Sequence, residues 1–430
     1  MTFSSPDDPA NDLAARDAAL SLASAALDRR GGLEQALEQK PFSTLEPRDR
    51  AFARMLAMTL LRRLGAIDSR LQARLAKEPP EPVVMLLRLG LVQALYLDTP
   101  DFAAVDTTVR LAERDKTTRP FKGLINGVLR SILREPPHKD DPEALVPGWL
   151  YARWHAAYGE ADARAIAAVV PFEPATDLTP RDPTEAAELA ALLEAEVLPG
   201  PSLRVSQHGD VASWSGYHEG RWWVQDAAAA IPARLLQLQA RETVLDLCAA
   251  PGGKTLEMAA AGAKVAALDR SEPRLARLRQ ALHRTGLAAE IVTADAASWG
   301  DPRRFAAVLL DAPCSATGTF RRHPDVLWGS KPGDIASLAG VQARLLDAAA
   351  DRVEPGGRLV YCVCSLEPEE GEAQMEGLLK RRPDLSLWPI APGEGGSPEA
   401  SVTPAGTLRI LPHHRQGALD GFFVARFRKA

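Results

Sequence analysis

The chain has 430 residues, of which 46% are hydrophobic and 25% charged, and its formal net charge is −5. These values suit a globular protein of about two or three domains and exclude a disordered, collagen-like or uniformly basic chain. With four cysteines in the whole chain, the sequence predicts no disulfide framework and favours a reducing compartment. The polar start and the absence of a long uninterrupted apolar run predict a cytoplasmic protein without a membrane segment.

The N-terminal part of the sequence is rich in alanine, leucine and arginine, and its apolar residues recur at helical spacing. Phe52, Leu56 and Leu60 belong to one such stripe, which is typical of a helix with one buried face. Pro47 suits the first turn of that helix, and Gly65 is expected to end it. Further helices are predicted at 67–77, 82–97, 101–116 and 120–133.

Two changes in composition divide the remainder of the chain. A stretch rich in proline and acidic residues follows the helices, and after it short strand-like pieces such as SLRVSQ and VASWSG alternate with helical pieces. From Val224 onward, apolar runs separated by helical segments indicate a parallel sheet. The sequence therefore predicts a multidomain protein with a disordered tail over 1–12, an all-α domain over 13–138, a small α+β lobe over 139–223 and an α/β Rossmann-like domain over 224–430.

A turn of small residues follows the first strand of the α/β domain, where the chain reads TVLDL and then CAAPGGKT. Small residues at such a strand end let backbone N–H groups approach a ligand, although a plain strand-to-helix turn is the alternative. The next strand ends at Asp269, which suits the hydroxyls of a ribose, and the third ends at Asp295, which could reach an adenine edge. Each aspartate alone is commonly a turn former, but together the three features indicate an adenosine-containing cofactor.

Three cysteines, Cys314, Cys362 and Cys364, lie in or directly after the last two strands of this series. Packing is the ordinary role of a free cysteine, and zinc is disfavoured because no histidine pairs with the Cys-x-Cys sequence. A nucleophilic thiolate offers a chemical use, since its addition to C6 of cytosine makes C5 reactive toward a sulfonium methyl group. Asp311 could then supply an acid as charge develops toward N3, and a second cysteine could assist elimination.

These segments resemble the RNA cytosine-5 methyltransferases of the type that includes Nop2 and the bacterial ribosomal RNA small subunit methyltransferase B. The S-adenosylmethionine motif of that family is similar to LDLCAAPGGKT, its Pro-Cys motif to DAPCSATGTFRRHPDV and its Thr-Cys-Ser motif to YCVCSLEPEE. The segments WVQDAAA and GFFVARFRK match as well. In the N-terminal part, the NusB-like RNA-binding module resembles RLGLVQALYLDTPDFAAVDTTVRLAE followed by FKGLINGVLRSILRE.

The resemblance implies methylation of cytosine C5 in small-subunit ribosomal RNA, with S-adenosylmethionine as cofactor and no metal. It implies that Cys364 is the nucleophile, that Cys314 is needed to release the product and that Asp311 contacts the base. The residues expected to hold the cofactor are Cys248, Ala249, Ala250, Pro251, Gly252, Gly253, Lys254, Asp269, Asp295 and Asp311. The family pattern gives no role to Cys362, which we expect to be a packing residue.

The expected partner is ribosomal RNA, bound by a monomer that takes an unpaired or flipped cytosine. Arg321 and Arg322 follow the Pro-Cys motif directly and are predicted to hold the RNA backbone. A set of basic residues in the helical domain is open to two interpretations, RNA contact or a solvated helix surface: Arg110, Arg114, Lys116, Arg119, Lys122, Arg130 and Arg134. Two other functions also stay open, a non-catalytic RNA-binding assembly or antitermination factor and the same chemistry on transfer RNA.

Overall fold

The computed structural model of the protein describes residues 9–28, 32–136 and 139–430. Its helices are α1 (Pro9–Leu27), α2 (Gly32–Glu38), α3 (Pro47–Gln72), α4 (Glu81–Tyr96), α5 (Asp101–Arg114), α6 (Lys122–Leu133), α7 (Gly148–Val169), α8 (Ala186–Leu193), α9 (Ala227–Arg234), α10 (Gly253–Ala260), α11 (Glu272–Thr285), α12 (Asp325–Gly329), α13 (Pro332–Asp351) and α14 (Glu372–Arg381). Its strands are β1 (Thr176–Pro180), β2 (Ala195–Val197), β3 (Leu203–Val205), β4 (Trp222–Val224), β5 (Thr243–Leu247), β6 (Lys264–Asp269), β7 (Glu290–Thr293), β8 (Phe305–Asp311), β9 (Val353–Val363), β10 (Leu385–Leu387), β11 (Leu408–Ile410) and β12 (Phe422–Lys429).

These elements form two compact units, which we call the helical unit and the sheet unit. The helical unit contains the described residues up to Phe172 together with His323–Gly329, and the sheet unit contains Glu173–Arg322 and Ser330–Ala430. Helix α1 begins inside the stretch 1–12 that the sequence predicts to be a disordered tail, and residues 1–8 lie outside the described residues. Among the described residues, no helix combines the length and the apolar character needed to cross a membrane.

The helical unit is held together by an apolar core drawn from α1 to α6, in which Leu56 and Leu60 are fully buried. Helices α4, α5 and α6 lie where the apolar periodicity predicts them. The predicted stop at Gly65 is wrong, because α3 continues through it to Gln72. A Cβ at Gly65 would lie 2.1 Å from the carbonyl oxygen of Ala144, so this glycine permits close packing and does not end the helix.

Polar contacts extend the helical unit beyond its apolar core. The Asp140 carboxylate accepts hydrogen bonds from Arg63 at 2.9 Å and Arg70 at 2.8 Å, and also from the Tyr96 hydroxyl. Helix α7 follows and belongs to the same unit, although the sequence predicts that a separate lobe starts at residue 139. Such contacts leave no hydrophobic periodicity, so the sequence pattern did not reveal that the segment around Asp140, which precedes α7, belongs to the helical unit.

One segment from the C-terminal half of the chain also packs in the helical unit. In His323–Gly329, the Trp328 indole lies against the leucine core, and its Nε1 donates a hydrogen bond of 3.0 Å to the carbonyl oxygen of Leu61. This segment begins inside the predicted Pro-Cys motif, whose last residues are His323 to Val326. His323–Gly329, with Trp328, therefore belong to the helical unit, whereas the residues up to Arg322 and from Ser330 onward belong to the sheet unit.

The sheet unit begins with a small antiparallel sheet in the order β2-β3-β1-β4. Leu178, Leu203 and Trp222 pack with Leu189 of α8 in its core, which gives the predicted α+β lobe. The SLRVSQ piece contains β3 as predicted, but the strand predicted in VASWSG is wrong. That piece starts with a 3-10 turn, because the Asp210 carboxylate accepts a hydrogen bond of 3.0 Å from the amide of Ala212.

The main sheet has the order β10-β12-β9-β8-β5-β6-β7, with β11 paired to β12. Strands β5 to β9 are parallel, and β12 runs antiparallel to β9. Along β9, Tyr361 and Val363 face α13 and α14, whereas Val360 and Cys362 face α9, so Cys362 is a core residue. Strand order reverses between β5 and β8, which is where such sheets bind their ligands. The predicted fold class of an all-α domain, a small α+β lobe and a Rossmann-like domain is confirmed.

Candidate active site

The predicted cofactor turn connects β5 to α10 and lies directly against α11. Cys248 and Gly252 have φ angles of 62° and 111°, so the backbone turns sharply at both ends of the CAAPG sequence. A Cβ at Gly252 would lie 2.3 Å from Leu278 Cδ1, which leaves no room for any residue except glycine. Ala249 and Ala250 are buried beneath the turn, and Pro251 is exposed. Close packing therefore dictates the small residues of this turn and leaves its outer surface free of bulky side chains.

Two aspartates follow the neighbouring strands β6 and β7. Asp269 is buried, and its carboxylate accepts hydrogen bonds from the amides of Ala250 at 3.1 Å and Ser271 at 2.8 Å, so it holds the cofactor turn. Asp295 is exposed and accepts a hydrogen bond of 2.9 Å from the amide of Ala297, which closes a turn. Because β6 and β7 are paired, both carboxylates lie at the same edge of the sheet.

Replacing Asp269 with alanine is expected to weaken S-adenosylmethionine binding by about 2–3 kcal/mol, because a charged hydrogen-bond acceptor for a ribose would be removed. Titration calorimetry measures the loss directly. Since Asp269 also fixes the amide of Ala250, circular dichroism of the variant should be compared with that of the parent protein. Unchanged affinity in a correctly folded variant would contradict the assignment of Asp269 to the ribose.

An ion pair joins the buried Lys254 in the first turn of α10 to the half-buried Asp311 at the end of β8. Lys254 Nζ is 2.6 Å from Asp311 Oδ2 and 5.4 Å from the centroid of the Phe422 ring. Burial lowers the pKa of Lys254, but the Asp311 carboxylate and the neighbouring Cys362 and Cys364 together outweigh that effect, so the pKa of Lys254 is raised and the ammonium persists. The other carboxylate oxygen of Asp311 accepts the thiol hydrogen of Cys362 at 3.5 Å. Lys254, predicted to line the cofactor turn, thus places a positive charge beside the cysteines.

Cys314 and Cys364 come together, with their sulfur atoms 3.5 Å apart. The carbonyl oxygen of Cys364 accepts a hydrogen bond of 3.0 Å from the amide of Gly318, which joins the two cysteine-bearing segments. The hydrogen bond with Cys364, together with burial, raises the pKa of the Cys314 thiol well above its ordinary value. Burial raises the pKa of the third thiol of the site, Cys248, to about 12, which keeps it protonated.

Two features that hold the cysteine segments were missed by the sequence analysis. A Cβ at Gly318 would lie 2.1 Å from the carbonyl oxygen of Gly421, and the amide of Gly421 donates a 2.8 Å hydrogen bond to Gly318. Glu370 is fully buried and accepts hydrogen bonds from the serines that follow each cysteine. The repeated Cys-Ser pair and the acidic EPEE sequence were the available signals, but neither reveals a shared contact.

The prediction that Arg321 and Arg322 hold the RNA backbone is wrong. Arg321 is 1% exposed, and its guanidinium lies 3.4 Å from the carboxylates of both Asp226 and Asp420. Arg322 Nη2 is 2.7 Å from Asp226 Oδ2. A buried guanidinium is tolerated only with paired acids, and these two side chains are engaged inside the sheet unit. They join the end of the Pro-Cys segment to the WVQDAAA motif through Asp226.

Asp246 lies beneath the cofactor turn as a fully buried carboxyl group. Its Oδ2 accepts a hydrogen bond of 2.5 Å from the Thr255 hydroxyl, and its Oδ1 has no hydrogen-bond partner among the described residues. Burial raises the pKa of Asp246 to about 7. The folded protein consequently keeps a proton on Asp246 that the unfolded chain releases near pH 4.

The stability of the protein is expected to fall as the pH rises from about 4 to about 7, because folding then requires proton uptake by Asp246. Asp246→Asn replaces the titrating carboxyl group with an amide that takes up no proton on folding. Between pH 4 and 8 the free energy of unfolding of the wild type should therefore fall by about 2–4 kcal/mol more than that of the variant. Urea unfolding at both pH values measures the difference. Asp347→Asn, on the partly exposed surface of α13, serves as the control. Parallel pH profiles of the wild type and Asp246→Asn would contradict the prediction.

The fold and the strand-end site define a Rossmann-like methyltransferase, and the comparisons with known proteins specify its family. Family models match over residues 233–428, described as 16S rRNA methyltransferase RsmB/F, and over 13–134, described as the NusB family. The ribosomal RNA small subunit methyltransferase B of Pseudomonas syringae pv. tomato is 36% identical over 438 residues, which cover 96% of each chain. Its counterpart in Sodalis glossinidius is 38% identical over 408 residues, 90% of this chain and 91% of its own.

A solved structure, that of PH0851, matches over the full length of both chains with a TM-score of 0.77 and 24% identity, which supports the fold. The chain belongs to the ribosomal RNA small subunit methyltransferase B family. It is an RNA methyltransferase that uses S-adenosylmethionine, and ribosomal RNA methylation is the activity that the family shares.

Proposed function

We propose that the protein methylates C5 of a cytosine in small-subunit ribosomal RNA, with Cys364 as nucleophile and Cys314 as the thiol needed for product release. The observation that carries the proposal is the pair of sulfur atoms 3.5 Å apart beside the Lys254–Asp311 ion pair. Attack by an exocyclic nitrogen needs no thiol. Attack by C5 needs one, because C5 becomes nucleophilic after a thiolate has added to C6.

The residues at the ends of β5 to β7 fit S-adenosylmethionine, which supplies an electrophilic methyl group. The turn from Cys248 to Gly253 offers backbone groups on a surface without bulky side chains, and Gly252 has no space for a Cβ. Asp269, held by two backbone amides, is suited to the ribose hydroxyls, and Asp295 lies at the neighbouring strand end for the adenine. Lys254 completes the turn on the side of the cysteines.

The covalent step follows from the arrangement of the two thiols. The Cys364 thiol loses its proton to solvent, and the thiolate forms a bond to C6. The electron pair released into the ring would then let C5 take the methyl group as the bond from that group to the sulfonium sulfur breaks. The Lys254 ammonium is suited to balance the negative charge that develops toward N3, and the Asp311 carboxylate holds that ammonium beside the cysteines. A base then removes the C5 proton, the C5=C6 double bond returns and the C6–S bond breaks, which restores the Cys364 thiolate.

Cys314 is suited to that release step because its acidity depends on Cys364. Its pKa is raised first by the hydrogen bond to Cys364 and second by burial. Once Cys364 is bound to carbon, the first cause is weakened, so Cys314 releases its proton to solvent more readily, and the resulting thiolate can accept the proton from C5. Each cysteine therefore has a distinct step.

We also propose that the substrate cytosine is unpaired or flipped out, since a thiol cannot reach C6 of a stacked base, and that a cytoplasmic monomer binds it. Exposed basic side chains of the helical unit, Arg114, Lys116, Arg130 and Arg134, are the candidates for phosphate contacts. Removing residues 1–140 is not a clean test of their role, because the helical unit extends to Phe172 and holds Trp328.

Replacing Arg114, Lys116, Arg130 and Arg134 together with alanine is expected to flatten the salt dependence of RNA binding. Each lost phosphate contact lowers the slope of log K against log salt by about 0.7, so four contacts change it by roughly 2–3. Fluorescence anisotropy with an rRNA fragment at several salt concentrations measures the slope. Alanine at Arg48 and Arg54 of α3, which are also exposed, is the control. Equal slopes in both variants would identify the first group as solvated surface.

The proposed activity is tested with small-subunit rRNA that carries tritium at C5 of cytosine. C5 methylation must release one tritium atom into water for each methyl group incorporated, whereas methylation of a nitrogen or a ribose releases none. We expect a ratio near one with rRNA and little incorporation with transfer RNA. Methyl incorporation without tritium release would overturn the proposal, and so would no incorporation into any RNA, as expected for a non-catalytic assembly factor. Bisulfite sequencing of rRNA from cells with and without the protein then identifies the nucleotide.

A further inference from the structure

The serines that follow Cys314 and Cys364 share one carboxylate, that of Glu370. The amide of Ser315 donates to Glu370 Oε1 at 2.9 Å, and the Ser315 hydroxyl donates to Oε2 at 2.5 Å. The Ser365 hydroxyl donates to the same Oε2 at 2.5 Å. A single side chain thus binds the residue next to each thiol.

Glu370 is itself fixed in place and fully buried. Gln342 of α13 donates to its Oε1 at 3.1 Å and to the carbonyl oxygen of Pro313 at 2.9 Å, while the Tyr361 hydroxyl donates to the Glu370 carbonyl oxygen. A buried carboxylate requires such donors, because the cost of leaving it without them is several times that of an ordinary lost hydrogen bond. Contacts from Gln342 of α13 and from Tyr361 of β9 therefore hold Glu370 in position.

The sheet itself does not determine the spacing of the two sulfur atoms. The β8–β9 ladder ends at the pair of Asp311 and Cys362, and both nucleophile candidates lie beyond it. Past that point, the segments are joined by the Gly318–Cys364 backbone hydrogen bond, by the Thr317 hydroxyl, which accepts a 3.0 Å hydrogen bond from the Leu366 amide, and by the Glu370 carboxylate. Among these links, the Glu370 carboxylate is the one that binds the residue directly after each thiol.

We propose that Glu370 is a positioning residue that sets the spacing of the Cys314 and Cys364 thiols, an inference that rests on the proposed function for the chemical roles of those thiols. In Glu370→Gln the side chain has one acceptor oxygen and an NH₂ group that cannot accept. At least one serine donor then loses its acceptor, and the two segments separate. We expect kcat to fall by about 10- to 100-fold, because a small misplacement of reacting groups lowers the rate to that extent. The affinity for S-adenosylmethionine should be unchanged.

Phenylarsine oxide provides a measurement that general destabilisation does not mimic. It condenses with two neighbouring thiols, forming two As–S bonds and releasing one water molecule, so its affinity reports their spacing. We expect tight binding in the wild type, a loss of about 10-fold or more in Glu370→Gln, and a comparable loss in Cys314→Ala, which lacks one of the two thiols. Alkylation by a monofunctional reagent should continue in Glu370→Gln, because both thiols are still present.

Glu369→Gln is the matched control, since this neighbouring carboxylate is exposed and should leave kcat and arsenical affinity as they are. If Glu370→Gln does not fold, Ser365→Ala removes one of the donors and should shift both measurements in the same direction. Unchanged arsenical affinity and kcat in Glu370→Gln would overturn the proposal. If the arsenical affinity depends on Glu370 while Cys364→Ala remains an active methyltransferase, the positioning role stands and the proposed function fails.

Discussion

Replacing Cys364 with alanine is expected to abolish methyl transfer, with a loss in kcat of at least ~10⁴-fold, the scale seen when a covalent nucleophile is removed. The physical reason is that C5 of cytosine stays electron-poor unless a thiolate has added to C6. Tritium release from C5-labelled rRNA measures the loss, and a denaturing gel should show no protein–RNA adduct.

The control for Cys364→Ala is cofactor binding. The S-adenosylmethionine turn lies at the ends of β5 and β6, whereas Cys364 lies beyond the end of β9, so calorimetry should give the wild-type affinity. An active Cys364→Ala protein would contradict its assignment as nucleophile, whatever the effect on RNA binding.

Replacing Cys314 with alanine is expected to trap RNA on the protein after methyl transfer. Cys364 can still add to C6, but the thiol 3.5 Å away that would take the C5 proton is missing, so the C6–S bond does not break. The complex should survive denaturing electrophoresis and carry one methyl group for each RNA bound. Turnover should stop after the first methyl transfer, which rapid-quench kinetics with labelled S-adenosylmethionine can measure.

The two alanine variants together decide the assignment of roles. The double variant Cys314→Ala/Cys364→Ala should form no adduct, because no thiol remains to add to C6. An adduct in Cys364→Ala and none in Cys314→Ala would exchange the two roles, since either sulfur lies near enough to take the other's place. A lack of adduct in every variant would contradict the release step assigned to Cys314.

The main sheet could be predicted from the sequence because apolar strands buried on both faces leave continuous runs such as TVLDL and AAVLLDAP. Both runs form strands in the structure. The predicted cofactor turn follows the first of them, and Cys314 follows the second. The end of α3 could not be predicted in this way. A glycine is typical of a helix end, but Gly65 is required for another reason. A Cβ at this position would collide with the carbonyl oxygen of Ala144, nearly eighty residues away in sequence.

The polar contacts inside the site were the least predictable part. Arg321 and Arg322 look like RNA-binding residues, but their partners Asp226 and Asp420 come from two distant segments. Glu370 is one of three glutamates in a short acidic run that reads as exposed surface, and its burial follows from serines fifty-five and five residues before it. Motif spacing identifies groups that react, but the groups that hold them depend on tertiary contacts.

The close contact between Gly318 and Gly421 has a consequence for the order in which the site assembles during synthesis. Strands β5 to β9 are translated first and can pair in parallel, but Gly421 and β12 come more than fifty residues after Cys364. Until they emerge from the ribosome, the loop after Cys314 lacks the backbone contact that supports it. We expect a chain that stopped before Gly421 to be inactive although it would contain every candidate catalytic residue, because the loop that follows Cys314 would lack this support.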